Sequence, residues 1–223
     1  MASRPVFGVS MLALGIRCLL AYLLGSLMGS LIVGKVYGGV DIRTQGSGNA
    51  GGTNALRTQG KVFALWVMII DIGKGVAAAL LVPSLPLPVP GGELLAGPWT
   101  AVLCGMLAIV GHVFPVFFGF RGGKGAATYV GVLASLAPLA LIPGLAVFAF
   151  TLTLTGYVGL STVLSTWAIA VFAFIGFGPG APIFSFGLAM ACFITYTHRS
   201  NLQRLKAGNE NRFHKAMLLR KRQ

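Results

Sequence analysis

Between Gly125 and Thr197 the chain carries no Asp, Glu, Lys, Arg or His. A stretch that long with no charge has no face to present to water, so lipid must cover it, and inside lipid each segment has to satisfy its own backbone hydrogen bonds as a helix does. Lys124 precedes the run, and the tail beyond His198 follows it with eight basic residues (Arg199, Arg204, Lys206, Arg212, Lys215, Arg220, Lys221, Arg222) against Glu210. Positive residues collect on the cytoplasmic side, so both flanks belong there and an even number of spans joins them. Two spans would each absorb about 36 residues, whereas four average about 18, close to the roughly 17 to 25 a bilayer needs. Breaks at Pro138, at Thr155-Gly156 and over Gly176–Pro182 place the four near 125–137, 139–155, 157–176 and 181–197, the first of them short.

The remainder agrees. Of 223 residues 56% are hydrophobic and 9% charged, with a mean hydropathy of +0.84, against about a quarter charged in a soluble domain. The net charge of +13 would point to nucleic acid in a soluble chain; here inside-positive loops account for it, and no nucleic-acid partner is expected. Cys18, Cys104 and Cys192 lie in apolar runs without ligand spacing and read as packing residues. A first helix spans roughly 11–35, retained because no small-residue cleavage site follows it. A second covers about Val62–Val82, and a third about Gly97–Phe117. Pro83–Ala96, with no basic residue, is the outer loop between those two. The fold expected is an all-α polytopic membrane protein of about seven transmembrane helices, N-terminus out and C-terminus in. It forms one domain over 1–223, with cytoplasmic loops at about 37–61, 118–125 and 198–210 and a basic tail at 211–223 that is solvated or binds lipid head groups. Helices this rich in glycine should pack through small-residue contacts.

Polar residues cluster at three places. Gly46–Arg57 (Gly-Ser-Gly-Asn-Ala-Gly-Gly-Thr-Asn-Ala-Leu-Arg) concentrates glycines that accept φ > 0, so successive N–H groups can line an anion nest, with Ser47, Asn49, Thr53 and Asn54 as further donors and Arg57 as a fixed charge. Gly111–Gly125 holds His112, Arg121, Gly123 and Lys124, and Tyr196–Glu210 holds His198, Arg199 and Asn201. Arg121 by itself suits an inside-positive anchor. Asp71 and Lys74, at i and i+3 in the second helix, share a face, where either alone would cost a few kcal/mol. Asp41, Asp71, Glu93 and Glu210 are too scattered for a metal or paired-carboxylate site, so no metal and no cofactor is expected. Neither a phosphate loop ending in Gly-Lys-Ser/Thr nor a Gly-x-Ser-x-Gly elbow occurs, and no His is followed by Asp five residues on, so nucleotide hydrolysis, serine esterase chemistry and the His-x4-Asp acyltransferases are excluded.

The clusters together resemble the integral-membrane glycerol-3-phosphate acyltransferases of bacteria that use acyl phosphate as donor. The first motif, Gly-Ser-Gly-Asn-x-Gly-x-Thr-Asn followed by Arg, is matched from Gly46 to Arg57. Gly-His-x-Phe-Pro-x-Phe followed by Gly-Gly-Lys-Gly is matched from Gly111 to Gly125, and His-x-x-Asn-x-x-Arg-Leu-x-x-Gly-x-Glu from His198 to Glu210. Asp71–Gly75 matches Asp-x-x-Lys-Gly. Ala50 stands where the family usually has Pro and Gly52 where it usually has Ala. Gly156 and Gly159 fall where the family tends to carry an Arg and a Ser-rich turn, with Ser161 and Thr162 nearby.

The resemblance implies transfer of a fatty acyl group from acyl phosphate to the sn-1 hydroxyl of glycerol 3-phosphate, giving 1-acyl-glycerol 3-phosphate (lysophosphatidic acid) and phosphate, the first acylation of phospholipid synthesis, at the cytoplasmic face of the bacterial inner membrane. Acyl phosphate is already an activated anhydride, so holding two anions together suffices without an acyl-enzyme. The implied roles are a phosphate cradle at Ser47, Gly48, Asn49, Gly51, Thr53 and Asn54, and a glycerol-phosphate clamp at Arg57 and Lys124 beside Gly123. His198 and Asn201 complete that pocket or act on the hydroxyl, and His112 serves positioning or proton transfer. Asp71 and Lys74 either form a structural ion pair supporting the site or contact the substrate directly. The expected partners are glycerol 3-phosphate, acyl phosphate and membrane lipids, with the protein acting as a monomer. A phosphate or organic-anion transporter and a non-catalytic lipid-binding scaffold are the alternatives from the residues alone, distinguished by anion flux or lipid binding without acyl transfer.

Overall fold

The computed structural model describes residues 7–89 and 97–217, and all regular structure among them is helical. Arg4, Glu93 and the basic residues from Arg220 onward lie outside the described residues. The chain divides into two compact units, Met1–Leu136 and Ala137–Gln223.

The first unit contains α1 (Phe7–Gly25), α2 (Gly29–Val36), α3 (Gly52–Thr58), α4 (Lys61–Ser84), α5 (Pro98–Val113) and α6 (Ala126–Leu136). The expected single helix over 11–35 is two, bent by 44° at Ser26–Met28. The break follows a Gly25-Ser26 pair and is bridged by the charge pair in α4. Lys74 Nζ donates to Leu27 O (2.7 Å), and the Gly29 N–H donates to Asp71 Oδ1 (3.2 Å). Those backbone groups lost their helical partners at the bend, and Asp71 and Lys74, themselves 3.0 Å apart and fully enclosed, supply replacements. Arg17, buried in α1, donates from Nη2 to Leu85 O (3.1 Å) just past α4.

Close contact between helices relies on glycine, as expected from composition. A Cβ at Gly75 would strike Thr128 O and one at Gly131 would strike Ile72 O, so α4 and α6 approach backbone to backbone. Gly25 lies the same way against Ala108, and Gly111 against Tyr22 O, along α1 and α5.

The second unit comprises α7 (Leu141–Thr155), α8 (Val158–Phe177), α9 (Pro182–Thr197) and α10 (Arg199–Lys206). Ser165 Oγ donates to Gly144 O (2.7 Å) between α7 and α8, and His198 is at once the end of α9 and the start of α10.

Lys61–Ser84, Pro98–Phe118, Pro138–Thr155 and Val158–Phe177 are long and apolar enough to cross a membrane, and the bent pair Met11–Gly25 and Gly29–Val36 makes a fifth. Ala126–Leu136 and Pro182–Thr197 are apolar but shorter. Every apolar segment expected from the sequence is helical to within a few residues. The coarse architecture is therefore a multi-pass, all-helical membrane protein.

Candidate functional site

In the first unit the nest loop is built around one buried amide. Asn54, in the first turn of α3 and 1% exposed, accepts from the Ser47 N–H at Oδ1 (2.9 Å) and donates from Nδ2 to Ile42 O (2.9 Å) and Gln45 O (3.0 Å). Both Nδ2 hydrogens and one acceptance at Oδ1 are used within the loop, so Asn54 holds the loop's shape. The Gly48 N–H is likewise taken, by Gln45 O (3.0 Å). Gly46 (φ 56°) and Gly48 (φ 71°) supply the left-handed turns that fold the loop back onto α3. Among the described residues, the side chains of Ser47, Asn49, Thr53 and Arg57 have no hydrogen-bond partner, and Arg57 is exposed. They remain available to an anion.

The two departures from the family pattern in this loop have packing explanations. Ala50 is fully buried against Met28 and Leu31, with Phe118 packed on the cluster. A Cβ at Gly52 would sit 2.6 Å from Met68 Sδ, so the smaller residue is matched by a bulkier neighbour.

The second motif runs from α5 into α6. His112, buried in the last turn of α5, has Nδ1 3.4 Å from Asp71 Oδ1. Its Nε2 lies against Gly123, where a Cβ would collide with the ring. The Gly122 N–H donates to Val113 O (3.2 Å) and the Gly123 N–H to His112 O (3.1 Å), which turns the chain so that half-buried Lys124 enters α6. His112 is enclosed between Asp71 and Gly123. The structure thus brings Asp71, Lys74, His112 and Gly123 into one connected set.

Asp41 and Arg43, which the sequence reading did not select, join the two motif loops. Arg43 Nε donates to Asp41 Oδ1 (3.0 Å) and Nη2 to Asp41 Oδ2 (2.8 Å), while Nη1 donates to Phe118 O (3.1 Å) and Arg121 O (3.2 Å). The hydrogen bond from Arg43 holds the Asp41 carboxyl below the usual carboxylate range, outweighing its partial burial, and the Arg43 guanidinium is correspondingly raised. Opposite charges two residues apart were the only signal in the sequence, and the carbonyl partners were not readable from it.

In the second unit the third motif closes on itself. Asn201 Nδ2 donates to Glu210 Oε1 and Arg204 Nε to Glu210 Oε2, both at 2.7 Å. A Cβ at Gly159 would lie 2.8 Å from Asn201 Cβ, so this glycine lets α10 rest on α8. His198 Nδ1 donates to Ile194 O (2.8 Å), which assigns any proton transfer by this buried ring to Nε2. Arg199 stacks over the Tyr196 ring (4.2 Å). The first residues of the tail make contacts with the start of α8 and the turn before it. Arg212 donates from Nε to Tyr157 Oη (2.7 Å), and the Phe213 N–H donates to Gly156 O (2.7 Å). Gly156, left-handed at φ 74°, ends α7 and leaves room for Met217.

With this geometry in hand, known proteins are informative. Residues 15–208 match the family model described as glycerol-3-phosphate acyltransferase. The chain belongs to the glycerol-3-phosphate acyltransferase family. A relative of that name from Chlorobaculum parvum is 40% identical over 215 residues, covering 86% of this chain and 93% of its own. Glycerol-3-phosphate acyltransferase 2 of Bacillus anthracis is 41% identical over 194 residues, covering 87% and 96%. Two crystal structures of PlsY (YgiH), an integral membrane glycerol 3-phosphate acyltransferase, share the fold: the glycerol 3-phosphate form at TM-score 0.78 and 33% identity, and the lysophosphatidic acid form at 0.76 and 32%, each covering 90% of this chain and 95% of PlsY. Membership of this family makes the chain an acyltransferase.

Proposed function

We propose that the chain transfers an acyl group from acyl phosphate to the sn-1 hydroxyl of glycerol 3-phosphate, releasing phosphate and 1-acyl-glycerol 3-phosphate. The observation that carries the reading is that the similar fold of PlsY has been crystallised in a glycerol 3-phosphate form and a lysophosphatidic acid form, the acceptor and the product of this reaction. The site's chemistry supports it. Ser47, Asn49 and Thr53, with the backbone at Gly51, cradle one phosphate, Gly48 shaping the turn between them, and Arg57 and Lys124 beside Gly123 clamp the glycerol phosphate. Asp71, Lys74, Asn54 and His112 hold these groups in place. For His198 and Asn201 the proposal keeps the roles the resemblance implies, pocket completion or action on the attacking hydroxyl. Two anions held with the hydroxyl near the acyl carbon convert a bimolecular step into a local one, an effect that supplies roughly 7–11 kcal/mol. The anhydride's own leaving group does the rest.

The proposal extends to topology and assembly: seven crossings in the bacterial inner membrane, with Ala126–Leu136 and Pro182–Thr197 the short ones, the N-terminus outside, the motif loops and C-terminus cytoplasmic, and a single functional domain acting as a monomer. The inside-positive distribution of Lys and Arg supports the orientation. The deciding experiment incubates purified protein with acyl phosphate and glycerol 3-phosphate. Lysophosphatidic acid is expected, and a folded preparation that makes none overturns the reading.

A further inference from the structure

Two consecutive residues of the second motif are left-handed: Gly119 at φ 65° and Phe120 at φ 58°, the latter the only non-glycine with positive φ among the described residues. A phenylalanine stays there only when its surroundings hold it. Inside the turn, the Phe118 and Phe120 N–H groups donate to Pro115 O (3.1 and 2.9 Å). From outside, Arg43 Nη1 takes the carbonyls of Phe118 and Arg121, one on each side of the left-handed pair. Arg43 is itself oriented by Asp41, which accepts from its backbone N–H (2.9 Å), its Nε and its Nη2. One planar guanidinium therefore joins the segment leading into the nest to the turn leading into Gly122-Gly123-Lys124, and the packing of Phe118 on the Ala50 cluster supports the same junction.

We propose that Asp41 and Arg43 are a positioning pair for the acyl transfer: they hold the Phe118–Arg121 turn in its left-handed form and thereby fix the loop carrying Lys124 relative to the loop carrying Arg57. Four of the five Arg43 N–H groups are engaged by protein oxygens, and its carboxylate neighbour repels an anion, so the role assigned to it is positioning and not phosphate binding. The inference rests on the proposed function for its kinetic readout and on the geometry alone for its structural one.

The test uses the full chain in detergent. Arg43→Ala should raise the KM for glycerol 3-phosphate about tenfold with kcat much less affected, as misplacement of a binding group does. Arg43→Lys, which keeps the charge but has one nitrogen where Arg43 uses Nη1 for the two carbonyls and Nε with Nη2 for Asp41, should not restore it. Phe120→Gly removes the conformational penalty, so the Arg43→Ala/Phe120→Gly double variant should recover most of the lost affinity, which no loss of a direct phosphate contact allows. Amide hydrogen exchange over residues 118–123 should quicken in Arg43→Ala and in Asp41→Asn whether or not the protein is active. An unchanged KM in active Arg43→Ala, a double variant no better than the single, or unaltered exchange would each overturn the pair's role. Inactive wild-type protein with the expected exchange pattern would instead remove the proposed function and leave the positioning pair standing.

Discussion

Arginines of the first motif region differ in what they are free to do. Arg43 is bound to a carboxylate and two carbonyls, whereas Arg57, exposed at the end of α3, has no hydrogen-bond partner among the described residues. Arg57→Ala should therefore remove a charge-assisted contact of about 1.5–3 kcal/mol, a rise of roughly tenfold to a hundredfold in the glycerol 3-phosphate KM, measured by initial rates; an unchanged KM counts against the clamp. Asn54→Ala should behave differently. The Ser47 N–H loses its acceptor inside the protein, at about 1–3 kcal/mol if it is left unsatisfied, while Ile42 O and Gln45 O each lose one of two donors, so thermal stability and activity fall together. Asp41 adds a pH signature. Its folded carboxyl titrates below the unfolded value of about 3.9, held down by Arg43 and by the charge of Arg121, so its contribution to stability is complete above that value and is lost as pH falls through the folded one. The Tm difference between wild type and Asp41→Asn should be constant from about pH 5 to 8 and shrink only in stronger acid. A gap that closes as pH rises would contradict this.

At the level of elements, the bend between α1 and α2 is bridged by a charge pair located in α4. Sequence periodicity continues through Ser26–Met28 because Leu27 and Met28 are as apolar as their neighbours; Lys74 and Asp71 opposite the break take up the backbone groups that it frees. Lys74→Met should cost about 3–5 kcal/mol by leaving the Asp71 carboxylate buried without its cation. Asp71→Asn/Lys74→Met should be milder than Lys74→Met alone, since no charge is then stranded. Thermal unfolding in detergent checks the order of the two, and the reverse order would show that the pair does not act as a unit. The same carboxylate faces His112, which in turn abuts Gly123, so one buried group in α4 supports both the α1–α2 bend and the Gly-Gly-Lys loop.

For the whole molecule, the charge pattern and the helix lengths bear on different questions. Among the described residues four helices, or five with the bent pair counted as one span, are long enough to cross a bilayer, and the seven-span topology needs Ala126–Leu136 and Pro182–Thr197 to cross as short elements. Reporter fusions at residue 90 should locate outside the cytoplasm and fusions at residue 215 inside it; the opposite result at either position would remove the topology.

Much of this was legible from residue order. Inside a bilayer a backbone can satisfy itself only locally, so an uncharged run has little choice but helix, and its breaks fall where Pro and Gly interrupt it; the apolar segments were placed to within a few residues on that ground. The three motifs were equally visible, because anion binding needs glycine, small donors and cations close together in sequence. What the sequence could not resolve was which members of those motifs face a ligand and which hold the loop. Asn54 and Asn49 are chemically the same residue, and only the fold surrounds Asn54 with Ile42 O, Gln45 O and the Ser47 N–H while giving the Asn49 side chain no hydrogen-bond partner among the described residues. Arg43 and Arg57 are separated in the same way, by carbonyls far along the chain at Phe118 and Arg121. Local pattern determines a helix because its hydrogen bonds are local; the function of a polar side chain depends on partners that only tertiary packing brings to it.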